Sequence, residues 1–337
     1  MSHNFLKIFA LLWSPIHRHF LIANPTRKVW NNCLKNWPCF RPQWILWIWR
    51  LTDFFLFQGG ASFEKDKRGF FLILEDLSEN FGIFENKKGL TIDRLFVAIE
   101  EIAYVHALSY AYGRANGIKY EEESNVKFIK FMEDENLVNS LDNCFKLFVS
   151  DLQSRNADES VIKAAQKFAK NYETILPIVL SKEDGRFFTH GDYWSNNVMY
   201  DKNNGKNQKR RKILWNDLKL FSAVKLIDWQ LATAIHPSFD FSTIALCNCA
   251  PDLAMENLDR MYNAYYNTFA QSCTKLGLEN PPFTLQEFIA DNQTIGLPVM
   301  LGLFIFFYDP VCHVPEMSVR FQLVFELCIK YNPELFA

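Results

Sequence analysis

From Leu90 onward, apolar side chains return every three to four residues. Between Leu90 and Tyr112, the residues Leu95, Ile99, Ile102, Val105 and Ala107 share one face while Glu100 and Glu101 point away. That pattern predicts an amphipathic helix, which Thr91-Ile92-Asp93 has the composition to cap. His106 falls in the same helix and reads as a core residue. Ser160 to Leu180 and Leu253 to Leu276 repeat the periodicity. Pro281-Pro282 then breaks the chain, and Thr284 with Glu287 three residues on makes a capping box that restarts it. The restarted helix runs from Leu285 into Ile295 to Phe307, an apolar stretch too short for a comfortable membrane span and interrupted by Pro298. It reads as a core helix.

Two short apolar segments, Asn197-Val198-Met199-Tyr200 and Val224-Lys225-Leu226-Ile227, read as strands. The connection between them opens with the turn composition Asp201-Lys202-Asn203-Asn204-Gly205, passes through the basic run Lys206 to Lys212, and extends to about Ala223. It predicts an exposed insertion at a hairpin tip, with its charge solvated.

Composition narrows the class. With 337 residues and 49% hydrophobic content the chain can bury a large core, and a net charge of −2 gives no electrostatic case for nucleic acid. Thirty-two Phe and nine Trp suggest either apolar pockets or a heavily packed helical lobe, without deciding between them. The eight cysteines include no CxxC pair and no disulfide-dense framework, which predicts a reducing, cytoplasmic location. Cys247 and Cys249 are too close for a zinc knuckle and read as buried thiols in a helix.

The candidate chemistry lies in Thr189-His190-Gly191-Asp192-Tyr193-Trp194-Ser195-Asn196-Asn197 and in Leu226-Ile227-Asp228-Trp229-Gln230. Transfer of a γ-phosphoryl group asks the protein to place a hydroxyl in line and to hold magnesium against the phosphate oxygens. One carboxylate orients the hydroxyl, and an amide oxygen five residues on turns toward the metal from the same loop. A second carboxylate, at the end of a neighbouring strand, binds the metal from the other side. Asp192, Asn197 and Asp228 occur in that order and at that spacing. The order matches the H-R-D-L-x-x-x-N and D-F-G segments of protein kinases, but Gly191 replaces the Arg, Trp229-Gln230 replaces Phe-Gly, and no A-P-E follows Asp228. A protein kinase switched by phosphorylation of its activation loop is therefore disfavoured.

The His190-Gly191-Asp192 to Asn197 loop resembles that of the aminoglycoside phosphotransferase and choline kinase superfamily. More closely, the chain resembles the ecdysteroid kinase-like (CHK kinase-like) family. That resemblance rests on Leu72 to Ser78 as an inter-lobe hinge, Ile102 to Ser109 as the first large-lobe helix, Asp228-Trp229-Gln230 and Pro237-Ser238-Phe239-Asp240-Phe241, with Thr284 to Phe288 also similar. It covers about Phe70 to Phe307. It implies an α+β, protein kinase-like two-lobe fold with a mostly helical C-terminal lobe. It also implies ATP as cosubstrate, Mg2+, and a steroid-like or other lipophilic alcohol as the small-molecule partner. Asp192 would be the catalytic base, Asn197 and Asp228 the metal ligands, and the backbone around Glu75 and Leu77 the adenine contact. His190 and Asp240 would support the loop by hydrogen bonds, and Trp194 would either line the acceptor pocket or pack.

The first 65 residues fit this scheme poorly. No Gly precedes Gly59, and no apolar-Lys-apolar strand stands out ahead of the hinge; Lys7 is the one weak candidate. Trp44 to Phe57 is apolar on nearly all faces but holds Arg50 and Asp53, which argues against a plain membrane span, and Met1 to Ala23 lacks a convincing signal-peptide cleavage site. A truncated N-terminus, a diverged small lobe and a membrane-associating segment stay open. The sequence thus divides into an atypical N-terminal segment (1–65), the end of a small lobe with its hinge (66–78) and a helical kinase-like lobe (79–337). The alternative to a kinase is a catalytically impaired pseudokinase, or a small-molecule binding protein lacking a complete ATP site. Sequence alone sets neither the acceptor nor the oligomeric state.

Overall fold

A computed structural model describes residues 58–64, 67–73, 77–83, 89–118, 135–180, 186–202, 224–305 and 315–336. The chain divides into two compact units, Met1–Asn80 and Phe81–Ala337. The expectations for the first 57 residues, the hinge residue Glu75 and the basic insertion Lys206 to Lys212 lie outside the described residues.

In the first unit β1 (Gln58–Glu64) and β2 (Lys67–Ile73) pair antiparallel, with Glu64 opposite Lys67, a register that leaves two residues for the turn. Leu77 follows, and its carbonyl accepts from the Asn80 amide at 3.2 Å in a tight turn.

The second unit is mostly helical with a small three-stranded antiparallel sheet, an α+β arrangement. Its strands β3 (Phe81–Gly82), β4 (Val198–Asp201) and β5 (Val224–Leu226) lie in that order, with Val198 opposite Leu226 and Tyr200 opposite Val224. Alternation explains which side faces in. Val198, Tyr200, Val224 and Leu226 are buried, whereas Met199 and Asp201 on the other face are half-buried.

The predicted helices form with shifted ends. α1 spans Ile92–Asn116 and stops at Gly117, whose φ of 62° is the left-handed conformation glycine adopts freely. Thr91 stands at its N-cap, but its side chain makes no capping hydrogen bond, which corrects the expected cap. α2 (Glu135–Ser154) and α3 (Glu159–Leu180) pack together, α4 (Ser238–Cys247) is buried along its whole length, and α5 (Pro251–Lys275) lies against α1. α6 (Leu285–Asp291) starts with the predicted capping box: Glu287 N donates to Thr284 Oγ1 at 3.2 Å and Thr284 N to the Glu287 carboxylate at 2.6 Å.

The apolar run after α6 is not one regular helix. Asn292–Gly296 form a π turn before α7 (Leu297–Phe304), so Pro298 falls in the first turn of a new helix, where its missing N–H costs little. The turn also brings the buried Asn292 amide against α4, with hydrogen bonds to Ser238 O and Ser242 Oγ. α8 (Pro315–Tyr331) closes the lobe. Among the described residues no helix is long and apolar enough to cross a membrane.

Among the described residues many aromatic rings pack against one another. Phe145, Phe148, Phe168, Tyr172, Phe321, Phe325 and Phe336 form one cluster across α2, α3 and α8. Tyr265, Phe269, Phe283, Phe288 and Phe241 form another, in which Tyr265 stacks on Phe288 at 4.3 Å and Phe269 on Phe283 at 4.8 Å. Such pairs contribute about 0.5–1.5 kcal/mol each beyond area burial. Cys144, Cys247, Cys249, Cys273 and Cys328 are free and buried, and burial pushes the Cys247 thiol up to about 12. Cys247 ends α4, while Cys249 lies just past it.

Candidate active site

The loop from Thr189 to Asn197 is fastened at its base by a β-bridge. Thr189 N donates to Thr233 O at 2.8 Å, Thr233 N returns to Thr189 O at 3.2 Å, and Thr189 Oγ1 also reaches Thr233 O. The chain then turns through Gly191 at φ 80°. A Cβ at this position would lie 2.0 Å from the carbonyl oxygen of Leu231, so the residue must be glycine both for its conformation and for the close passage of the segment after Asp228. That requirement gives a physical reason for glycine where protein kinases carry Arg.

Asp240, in the first turn of α4, accepts the His190 amide at 2.7 Å and the Gly191 amide at 3.0 Å. It also faces His106 Nε2 at 3.0 Å, and His106 Nδ1 lies 2.8 Å from the Tyr265 hydroxyl. A carboxylate only accepts, so His106 donates from Nε2; a neutral ring then accepts from Tyr265 at Nδ1. His106, Asp240 and Tyr265 are fully buried. His106 is a core residue as expected, but its two hydrogen bonds join α1, α4 and α5 beneath the loop, a role its apolar helical setting hides.

His190 extends the support. Its Nε2 lies 2.9 Å from Ile227 O, so it donates to the backbone just before Asp228 and leaves Nδ1 to accept the Asp192 amide at 3.3 Å. Burial pushes its pKa below the ordinary value, in keeping with a neutral ring. Trp229 packs on this imidazole at 4.5 Å and stacks on Phe188. Tyr193 turns inward and donates to Ala98 O in α1 at 2.9 Å.

Asp192 and Asn197 meet directly. The Asn197 amide nitrogen donates to Asp192 O at 2.9 Å and to Asp192 Oδ2 at 2.8 Å. Both N–H groups are thereby used, which leaves the carbonyl oxygen of Asn197 as the atom free to accept or ligate. Burial raises the Asp192 pKa to about 6; the Asn197 hydrogen bond opposes the rise, and the charges of Asp228 and Asp240 add to it. Asn197 O accepts Ile227 N at 3.0 Å, tying the loop's end to the approach to Asp228.

Asp228 follows β5 at φ 64° and ψ 64°, and its side chain is exposed. A left-handed non-glycine residue is uncommon, and such conformations gather at functional sites. Trp194 is half-buried against the core. The far end of the loop has a support with no sequence signal: Asn248, immediately after α4, accepts the Ser195 amide at 2.8 Å. Of the proposed adenine contacts, Leu77 is half-buried in the first unit, and Glu75 is not described.

No curated protein matches the chain. A sequence model of the ecdysteroid kinase-like family matches residues 52–278, a span that begins earlier and ends earlier than the resemblance read from the motifs and contains the whole loop, Asp228, α4 and α5. That span is more than half of the sequence, and the chain belongs to the ecdysteroid kinase-like family.

Proposed function

We propose that this protein is an ATP-dependent small-molecule kinase of protein kinase-like two-lobe fold, and that it phosphorylates a hydroxyl of a steroid-like or other lipophilic alcohol. Family membership supports the coarse reading of a small-molecule kinase and of ATP and divalent metal use. The finer assignment rests on one observation: the Asn197 amide spends both its N–H groups on Asp192, which orients the carboxylate and leaves the side-chain oxygen of Asn197 as its remaining acceptor.

The donor chemistry fits magnesium. Asn197 offers a carbonyl oxygen and Asp228 an exposed carboxylate, both hard oxygen donors. Bound Mg·ATP supplies the phosphoryl group and the positive charge against its oxygens. Asp192 accepts the hydrogen of the incoming hydroxyl and aims its oxygen, while Asn197 holds that carboxylate in place. The family resemblance assigns adenine to the backbone around Glu75 and Leu77.

The test is a thermal-shift titration with Mg·ATP on the native chain and on Asp228→Ala. The proposal expects a rise in unfolding temperature for the native protein, weakened in the variant. No response in either would leave a binding protein without an ATP site.

A further inference from the structure

Helix α4 touches the loop at both ends. Asp240, in its first turn, holds His190 and Gly191, and Asn248, at its C-cap, holds Ser195. Asn248 is 2% exposed, and each of its polar groups has a different partner. Its amide nitrogen donates to Thr243 O at 2.7 Å, its side-chain oxygen accepts the Ser195 amide at 2.8 Å, and its backbone oxygen accepts the Leu90 amide at 2.6 Å. The corner itself is tightly built. Arg320 Nη1 reaches Cys247 O at 3.2 Å, and Gly89 at φ 89° passes so close that a Cβ would lie 2.7 Å from Asn248 O. With its backbone oxygen held by Leu90 and its amide nitrogen by Thr243 O, Asn248 is a fixed anchor for what its side-chain oxygen positions.

We propose that Asn248 is a positioning residue for the metal: its side-chain oxygen fixes Ser195, which opens the 3-10 turn Ser195–Asn197, and so sets where the Asn197 carbonyl oxygen stands. This rests on the kinase reading above, because Asn197 is the metal ligand there. The turn carries the effect over a short path. Ser195 and Asn197 belong to one three-residue turn, the Asn197 amide closes onto Trp194 O at 2.9 Å, and releasing Ser195 N frees the side of the turn that Asp192 does not hold. A plain helix cap would need only the bond to Thr243 O, and the bond to Ser195 is the additional one.

The test measures Mn2+ affinity by electron paramagnetic resonance in the presence of a non-hydrolysable ATP analogue, with analogue binding in EDTA as a second readout. The full chain is compared with Asn248→Ala, Asn248→Asp and Asn332→Ala. Asn332 is a control: it is also a buried amide, donating to Gln293 O at 2.7 Å, but it lies after α8 and does not contact the loop. Loss of a group that orients a ligand typically weakens metal binding about 10–100-fold. Asn248→Ala is expected to lose Mn2+ affinity by about that factor with metal-free analogue binding unchanged, Asn248→Asp, which keeps an acceptor for Ser195 but cannot donate to Thr243 O, to lose less, and Asn332→Ala to stay near the native value. Equal Mn2+ affinity in Asn248→Ala and the native chain overturns the proposal, as does an equal loss in Asn332→Ala. A native chain that takes no Mn2+ with the analogue overturns the kinase reading and this inference together. Amide hydrogen exchange in the native protein needs no variant to fold. Protection at Ser195 is expected, and exchange as fast as in an open loop overturns the anchor.

Discussion

The two ends of the Thr189–Asn197 loop are held by the same helix in different ways. At the entry, a buried carboxylate collects two backbone amides and a histidine, and a glycine passes within contact of a neighbouring carbonyl. At the exit, a neutral amide holds a single backbone N–H. Hydrogen bonds to an ionised group are roughly twice as strong as neutral ones, so the entry is the stiffer end and the exit the more adjustable one. Asp240 and Asn248 are eight residues apart on or beside one helix, about 12 Å at 1.5 Å per residue. α4 thus acts as a rigid spacer under a short loop, with the proposed base Asp192 near its firm end and the proposed metal ligand Asn197 near its lighter one.

Substitutions at the entry should cost the most. Asp240→Ala removes the acceptor of two amide N–H groups and leaves His106 Nε2 unpaired, an expected loss of about 3–5 kcal/mol in urea unfolding. Asp240→Asn, which retains one acceptor oxygen, should lose visibly less. Gly191→Ala forces a Cβ against Leu231 O at positive φ and is expected to cost about 3 kcal/mol. At the exit, Asn248→Ala should cost only about 1–2 kcal/mol in the same measurement. An Asn248 cost equal to that of Asp240 would erase the contrast between the two ends.

The smallest effect has the opposite sign. Asp192 has a folded pKa of about 6 because burial disfavours its charged form, so the folded state binds more protons than the unfolded state between about pH 4 and 6. Stability therefore falls as pH rises through that window. Asp192→Asn should be more stable than the native chain by about 1–2 kcal/mol above pH 6, with the difference gone below about pH 4. Absence of any pH dependence in the difference would mean that the carboxyl is not desolvated. For the proposed kinase, the same pKa predicts that phosphoryl transfer declines as pH falls through about 6.

Local patterns made much of the helical lobe legible. The periodicity around Ile99 and Ile102 and the Thr284–Glu287 box depend on neighbours in sequence, and these elements formed with ends moved by a few residues. Leu141, Phe145, Phe148 and Leu152 carry the same signal in α2. The π turn at Asn292–Gly296 had no local mark, because Asn292 serves partners in α4 some 50 residues away. Asp192, Asn197 and Asp228 stand out because their order and spacing are those that the proposed phosphoryl transfer would require. His106 and Asn248 were not, since each sits in an apolar stretch and acquires its role from partners 134 and 53 residues distant.

The most direct test of the central claim is phosphoryl transfer itself. Transfer from Mg·[γ-32P]ATP to an accepted lipophilic alcohol is measured with native protein and Asp192→Asn, both verified as folded by their unfolding midpoints. The account predicts transfer by the native chain and a fall of at least about 100-fold in kcat for the variant, the scale on which a positioned base contributes. Undiminished transfer by Asp192→Asn would contradict it.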